Sequence, residues 1–515
     1  MKVAIYDKWL SALGGGEKVA TVMAEVLSKK GHEVHLVSGF EVDKKELTEK
    51  MDVDLSKVKI VAWHERSYER LLPKTKKYDL FINVSFLDHL PSGAKKSIYY
   101  IHFPTPIKTS LFGFIKYETI LPLLRKYLII PEVESGLKPI EDVYTRGGRW
   151  LKEKNTVIFS NTPEVFNLTL RVFAEQLSLN TLNKVNFSSQ NATVELIDKH
   201  IDHGFNVLVY KLKIVTHNQS PAIEIAVSED LKSNALGLVS ITIKDFRFLL
   251  WNFIKRYLPR FEMALYGSSS YKPAEGLNTY HLFLANSKFT KKWTKFYWNR
   301  EVRVLYPPVD VEKFKAGKKK NVILNVGRFF VGGHSKRQDV LVAIFKKMID
   351  EKKIDSSWEL HFAGGVASGK DNTDYLNKIR EEAKRYPVYF HLFVSFQELK
   401  KLYGEAKIYW HATGFGEDEN SDPIRFEHFG ITPVEAMAAG WIPIVYHGGG
   451  LAETVGFSRG LTWSKESELV EITQKIIRNE RLRKELSQEL TDKARKYSRK
   501  SFAENLLKYI DKLVK

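Results

Sequence analysis

The sequence predicts an α/β protein of two doubly wound domains facing a cleft, with a mainly antiparallel β insert in the first domain. Three observations carry this. The chain opens as strand, glycine turn, helix and strand, in KVAIYD, LGGGEK, VATVMAEVLSKKG and EVHLVSG. The same rhythm restarts at KNVILNVGRF, beyond a Pro-Pro pair that stops regular structure. Between the two lie runs that alternate with period two and have no helix between them.

The opening strand, helix and strand form one right-handed βαβ unit, its helix ended by Gly31. YDLFINVS, KSIYYIHF and NTVIFSN extend it into a doubly wound, Rossmann-like sheet. From 163 to 276 the runs FNVLVYKLKIV, PAIEIAVS and ALGLVSITI predict an insert of unknown role, closed by FRFLLWNFIKRYLPRF. Pro259 bends or ends that last helix. YHLFLANS returns to the first sheet, so the first domain is 1–162 with 277–306. The second, 307–498, is built on KNVILNVGRF, WELHFAGG, VYFHLF, KIYWHA and IPIVYHGGG. Residues 499–515 are an amphipathic helix placed to cross back to the first domain.

At 515 residues with 43% hydrophobic content, the chain suffices for two or three domains with sizeable cores. It has no cysteine, which excludes disulfides, thiolate metal sites and cysteine nucleophiles, and fits a reducing cytosol. No apolar run is long enough to span a bilayer, and MKVAIYDKWL reads as a strand rather than a secretory signal. The expectation is a cytoplasmic protein, soluble or peripheral on a membrane. A net charge of +19, concentrated in 247–261, 291–300 and 313–320, leaves three partners: nucleic acid, anionic lipid headgroups or a phosphorylated substrate. Solvated surface lysine is the plainer alternative. Nucleic acid is the weakest partner, because the aromatics form no RNA-binding motif.

The chemistry concentrates in FEHFGITPVEAMAAG, residues 426–440. Thr432, Pro433 and Glu435 read as N-cap, N1 and N3 of a capping box. Free amides along Phe429, Gly430, Ile431 and Thr432 would attract a diphosphate, and Glu435 could accept from ribose hydroxyls. Capping alone explains Glu435 but not the second carboxylate, Glu427. In NVGRFFVGGHSKRQDVL a strand delivers Arg328 and a glycine loop leads to Lys336, two cations able to neutralise a leaving diphosphate. Arg337 could replace Lys336.

Gly14, Gly15 and Gly16 let backbone approach a ligand at the end of the first strand. Their loop is neither a dinucleotide fingerprint nor a Walker loop, so nicotinamide and ATP are not supported. His102 and His411 each follow a strand, where a lone histidine is more often a packing residue. Asp418, Glu419 and Asp422 cluster as for a metal, although an acidic surface loop is the plainer reading.

The glycine loop, ANSKFTKK, VLYPPVDVEKF, VGRF followed by Lys336, the two glutamates before AMAAG, and GGGLAE together resemble the family 4 retaining glycosyltransferases. EHFG and YIHFPT resemble the branch that adds α-1,2-mannose to dolichol-linked oligosaccharides. The resemblance covers about 1–160 and 280–515, and implies the GT-B fold with a hexose moved from a nucleoside diphosphate sugar to a hydroxyl acceptor. It matches Glu435 to the ribose-binding acid and Glu427 to the acid beside the donor hexose. Arg328 and Lys336 match the diphosphate pair, and His102 would lie by the donor sugar. It implies no cofactor and no catalytic metal, with a glycan or lipid-linked acceptor. Other enzymes on this fold, such as an epimerase or a phosphorylase, fit the EHFGITPVEAMAAG string less well. The insert and the lengthened GEDENSDPIR loop depart from the family pattern.

Overall fold

The computed structural model describes residues 1–63, 68–107, 115, 119–135, 138–139, 149–151, 154–174, 177–205, 207–217, 220–228, 236–258, 265, 273–367, 369–456 and 460–515. The first domain holds β1 (Lys2–Tyr6), β2 (Glu33–Ser38), β3 (Val58–Ala62), β4 (Leu80–Asn83) and β5 (Lys96–Ile101). The insert contributes β6 (Pro131–Ser135), β7 (Lys138–Pro139), β8 (Arg149–Trp150), β9 (Lys154–Phe159), β10 (Val165–Ala174), β11 (Val185–Ser188), β12 (Ala192–Asp202), β13 (Val207–Thr216), β14 (Ala222–Val227) and β15 (Leu236–Ile243). β16 (Leu282–Ala285) and β17 (Arg303–Val304) complete the first sheet, in the order β17-β16-β5-β4-β1-β2-β3. All its pairings are parallel. Val3, Ala4 and Ile5 are fully buried, as a strand covered on both faces requires.

The second sheet is parallel as well, in the order β20-β19-β18-β21-β22-β23. Its strands are β18 (Val322–Val326), β19 (Glu359–Gly364), β20 (Val388–Leu392), β21 (Ile408–His411), β22 (Ile442–Tyr446) and β23 (Thr462–Trp463). Each domain has its own apolar core. The helix Arg499–Val514 leaves the second domain and lays Phe502, Leu506 and Ile510 into the first domain's core beside Val3 and Leu27.

The insert forms two antiparallel sheets, β12-β13-β10-β15-β8-β7 and β11-β14-β9-β6, over a core that includes Val157, Leu170, Leu212 and Trp251. It begins before the expected boundary at 163. NTVIFSN does not extend the first sheet: β9 pairs antiparallel with β14 and β6. Asn155, Val157 and Phe159 are buried while their neighbours are less so, the alternation of a half-buried antiparallel strand rather than of a parallel one. Leu121 and Leu128 also belong to the insert's core. The helix Phe246–Tyr257 closes it as expected; Pro259, expected to end that helix, lies outside the described residues.

Among the contacts that tie the domains, two lie at the crossover and near the site. At the crossover, Asp310 receives Lys18 at 3.0 Å, Lys313 at 3.3 Å and Arg499, so three cations from three segments share one carboxylate. Near the site, Phe103 stacks on His428 with centroids 4.1 Å apart, and Phe289 lies behind both.

Candidate functional site

The ends of β1, β5, β18 and β21 and the turn before the helix Ile431–Ala438 meet in the cleft. A Cβ on Gly15 would lie 3.2 Å from Ile431 Cδ1, and one on Gly16 would lie 3.3 Å from His102 Nε2. The glycines thus bring the first domain's backbone against the start of the second domain's helix. His102 Nε2 donates to the Val84 carbonyl at 2.8 Å, which leaves Nδ1 as the ring's acceptor. Burial lowers this imidazole to about 4, against the pull of that hydrogen bond, so it is neutral.

Lys336 folds over Gly327 and donates to Glu427. His411, fully buried, approaches the same carboxylate oxygen, Nε2 to Oε2 at 3.5 Å. Its Nδ1 accepts the Thr413 amide at 3.3 Å, so the proton resides on Nε2 and points at Glu427. Burial by itself would raise the Glu427 carboxyl, but Lys336 and His411 outweigh it and hold the group well below the usual range. Glu427 is a fixed carboxylate whose Oε2 meets both a lysine and an imidazole. The glycines of GGGLAE permit this placement: Gly450 donates its amide to the Glu427 carbonyl at 2.7 Å, and a Cβ there would meet the His428 carbonyl at 2.3 Å.

Arg337 does not share this position. Its guanidinium pairs with Asp339 at 3.3 Å and donates to the Phe415 carbonyl at 2.5 Å, which leaves Lys336 facing Glu427. Arg328 is exposed at the end of β18, near enough with Lys336 to act on His334.

The capping box expected at 432–435 is absent. Gly430, at φ 91°, is the N-cap, which makes Pro433 the third helical residue and puts Glu435 beyond the first turn. Phe429 packs its ring against Tyr306 and Tyr497 and starts the helix two residues early. The amides of the first turn still lack helical partners. The Thr432 hydroxyl is bonded to Tyr409 at 2.7 Å. Glu435 accepts from the Tyr403 hydroxyl at 2.8 Å. Burial pushes its carboxyl up to about 7, Tyr403 opposes, Asp310 adds to the rise and Lys18 opposes it.

The acidic cluster is otherwise engaged. Asp422 pairs with Arg425 at 2.6 Å, Glu419 with Lys292 at 2.8 Å, and Asp418 accepts from the Asn420 amide at 3.0 Å. Among the described residues no group of three His, Asp or Glu side chains is arranged to hold a metal ion.

Two residues, Asp7 and Tyr403, escaped the sequence reading, and Glu453, inside the quoted GGGLAE, was given no role there. Asp7, 2% exposed at the end of β1, is pushed up to about 7 by burial and then by Glu17, against a hydrogen bond from the Trp9 amide. An acid directly after an apolar strand was the available signal. Glu453 spans the domains, accepting from the Lys288 amide at 2.8 Å and the Tyr306 hydroxyl at 2.6 Å. Tyr403, the partner of Glu435, carries no motif.

Residues 308–497 match the family model described as glycosyl transferases group 1. The GDP-Man:Man(3)GlcNAc(2)-PP-Dol alpha-1,2-mannosyltransferase of Dictyostelium discoideum is 26% identical over 45% of this chain and 47% of that protein. The alpha-1,3/1,6-mannosyltransferase ALG2 of Saccharomyces cerevisiae is 28% identical over 33% of this chain and 39% of its own. The chain therefore spans about half or less of the length of these curated relatives. The structure of Anabaena Alr3699/HepE with UDP-glucose superposes with a TM-score of 0.52 at 11% identity, covering 100% of both chains, a likeness of fold. The two parallel sheets facing a cleft are the GT-B fold, and residues 308–497 of its second domain are similar to the group 1 glycosyl transferases.

Proposed function

We propose that this protein is a retaining glycosyltransferase that moves a hexose from a nucleoside diphosphate sugar to a hydroxyl of a lipid-linked glycan at a cytoplasmic membrane surface. The observation that carries the reading is the Lys336–Glu427–His411 arrangement beside the open helix start at Gly430. It supplies a cation for a diphosphate and a fixed carboxylate for the sugar that the diphosphate carries. Mannose is the favoured hexose, with glucose second, since the curated relatives are named as mannosyltransferases and one is named with GDP-mannose as donor.

In this reading the diphosphate rests on the amides from Phe429 to Thr432, with Arg328 and Lys336 neutralising charge as the bond from the anomeric carbon to the phosphate oxygen breaks. The acceptor oxygen bonds to that carbon on the face the diphosphate leaves. Its proton passes to a phosphate oxygen of the departing nucleoside diphosphate. Glu427 fixes hexose hydroxyls, and Glu435, when ionised, accepts from the ribose. The neutral His102 offers Nδ1 as an acceptor on the first-domain side. Two cations carry the leaving-group charge, so the reaction is drawn without a metal or cofactor. The protein contributes alignment and electrostatics.

The test is release of GDP or UDP from the corresponding mannose and glucose donors, with and without a lipid-linked oligosaccharide. Release that depends on acceptor, with an α-linked product, is the expected result. No release with any of the four donors would overturn the reading.

A further inference from the structure

A buried N–H beside the candidate site lacks a full hydrogen bond. His411 is fully buried at the end of β21, and the Thr413 amide fixes its ring by donating to Nδ1 at 3.3 Å. Nε2 therefore carries the proton, yet among the described residues this N–H has no hydrogen-bond partner. The acceptor it faces is Glu427 Oε2, at 3.5 Å too long for a full hydrogen bond, and Lys336 already donates to that oxygen. A buried N–H left unbonded is destabilising, and an apolar side chain of similar size would avoid that. The other oxygen, Glu427 Oε1, has no partner among the described residues and is not enclosed.

Charge and reach decide what the spare N–H is for. Lys336 holds Glu427 through a flexible stem that lies over Gly327, and its side chain is 19% exposed, so the amine can turn outward. In the proposed reaction that amine serves the diphosphate. Turning toward it would leave Glu427 buried and unpaired, which a carboxylate resists strongly. His411 is held in place, and burial lowers its imidazole so that it is neutral at pH 7. It can hold a carboxylate without competing for the phosphates. Hydrogen bonds of this kind are often long in a free enzyme and close only in the complex.

We propose that His411 is a positioning residue that takes over Glu427 when Lys336 turns to the diphosphate of the donor. Oε2 passes from the ammonium to the imidazole, and Oε1 keeps its place for the hexose hydroxyls. The proposal rests on the transferase reading and deepens it, since one carboxylate stays charged and oriented while its cation is used elsewhere. The other ionisable groups that feel Glu427 are His334, His428 and Tyr409. Burial lowers both imidazoles, His428 to about 3, and raises the phenol, so none of the three changes charge between pH 7 and pH 8.

The test is calorimetric titration of the full chain with GDP and UDP, in buffers of different protonation enthalpy, so that proton uptake is read beside affinity. Without an N–H at 411 the bound state leaves Glu427 unpaired, and a buried carboxylate in that position takes up a proton. At pH 7, His411→Leu should therefore take up about one proton more than the wild type on binding nucleotide. Its affinity relative to the wild type should fall about tenfold from pH 7 to pH 8. His411→Gln, whose amide nitrogen can stand where Nε2 does, should bring uptake back to the wild-type level. A purely structural role would lower the melting temperature of His411→Leu and leave proton uptake unchanged. Should His411→Leu fail to fold, the wild type with isotope-labelled histidine gives a second measurement. The His411 Nε2–H resonance, assigned by its loss in His411→Gln, should move downfield on saturation with nucleotide. Equal uptake in wild type and His411→Leu, or an Nε2–H resonance that nucleotide does not move, would overturn the proposal and leave the transferase reading standing. A wild type that binds neither GDP nor UDP, nor their mannose and glucose conjugates, would end both.

Discussion

The two parallel sheets offer the ends of their strands to the cleft with different side chains. At the first sheet's edge stand Asp7 and Glu17, with Trp9 and Phe86 exposed beside them. At the second stand Arg328 and Lys336, and the carboxylate facing Lys336, Glu427, is already held by Lys336 and His411. One topology therefore yields two kinds of site. Cations and open amides suit a diphosphate, while carboxylates beside exposed aromatic rings suit the hydroxyls and apolar faces of a sugar. The proposed reaction gives donor and acceptor different halves, and each substitution below strikes one half.

The largest effect is expected on the cationic side. Lys336→Ala and Arg328→Ala should each lower kcat by about 10²-fold or more, the usual scale for removing a group that stabilises developing charge. Lys336→Ala should be the more damaging, because it also strips the buried Glu427 of its cation. Steady-state kinetics decide the matter. Near-normal turnover in both would show that the diphosphate is held elsewhere and that the charge contrast is incidental.

The cationic half was legible in the sequence because its chemistry is local. Arg328 and Lys336 sit on one strand–loop–helix passage, and Glu427 and Glu435 flank one helix start. The register of that start was misread for a tertiary reason. Thr-Pro-x-Glu has the spelling of a capping box, but Phe429 wedged between Tyr306 and Tyr497 and Gly430 at positive φ begin the helix earlier. Tyr306 is more than a hundred residues away, and no window around Thr432 contains it. Asp7 was missed for the same kind of reason, since its weakened acidity comes from burial under the fold and from Glu17 across a turn. The insert's true start was hidden because the partners of β9 include β14, far along the chain. The burial alternation of β9 becomes visible only once the sheet exists.

A smaller effect sharpens the acceptor half. Asp7→Asn should raise the acceptor KM about tenfold, the scale of one lost charged hydrogen bond, with little change in the donor KM. The reverse pattern, a donor effect alone, would place the donor across both edges and end the division of labour.

The smallest effect concerns Glu435 and separates its structural cost from its use. Burial pushes its carboxyl to about 7 from an ordinary 4.5. Below 4.5 both folded and unfolded chains hold the proton, and the folded state keeps its full stability. As pH rises toward 7 the unfolded chain ionises first, so stability falls, and it levels off above 7. Glutamine has no proton to lose and still accepts from Tyr403. Glu435→Gln should therefore be more stable than the wild type at pH 8 by about 1–3 kcal/mol, with the difference gone near pH 4.5. Nucleotide affinity should move the other way. An ionised carboxylate accepts from ribose hydroxyls better than an amide does, so wild-type affinity should rise about fivefold as pH passes through 7, while the variant stays flat. Thermal melts and nucleotide titrations at pH 5, 7 and 8 measure both. A variant that gains stability at pH 8 and binds nucleotide as the wild type does would leave Glu435 a buried acid without a ribose, and the donor site would then rest on Arg328, Lys336 and the helix start alone.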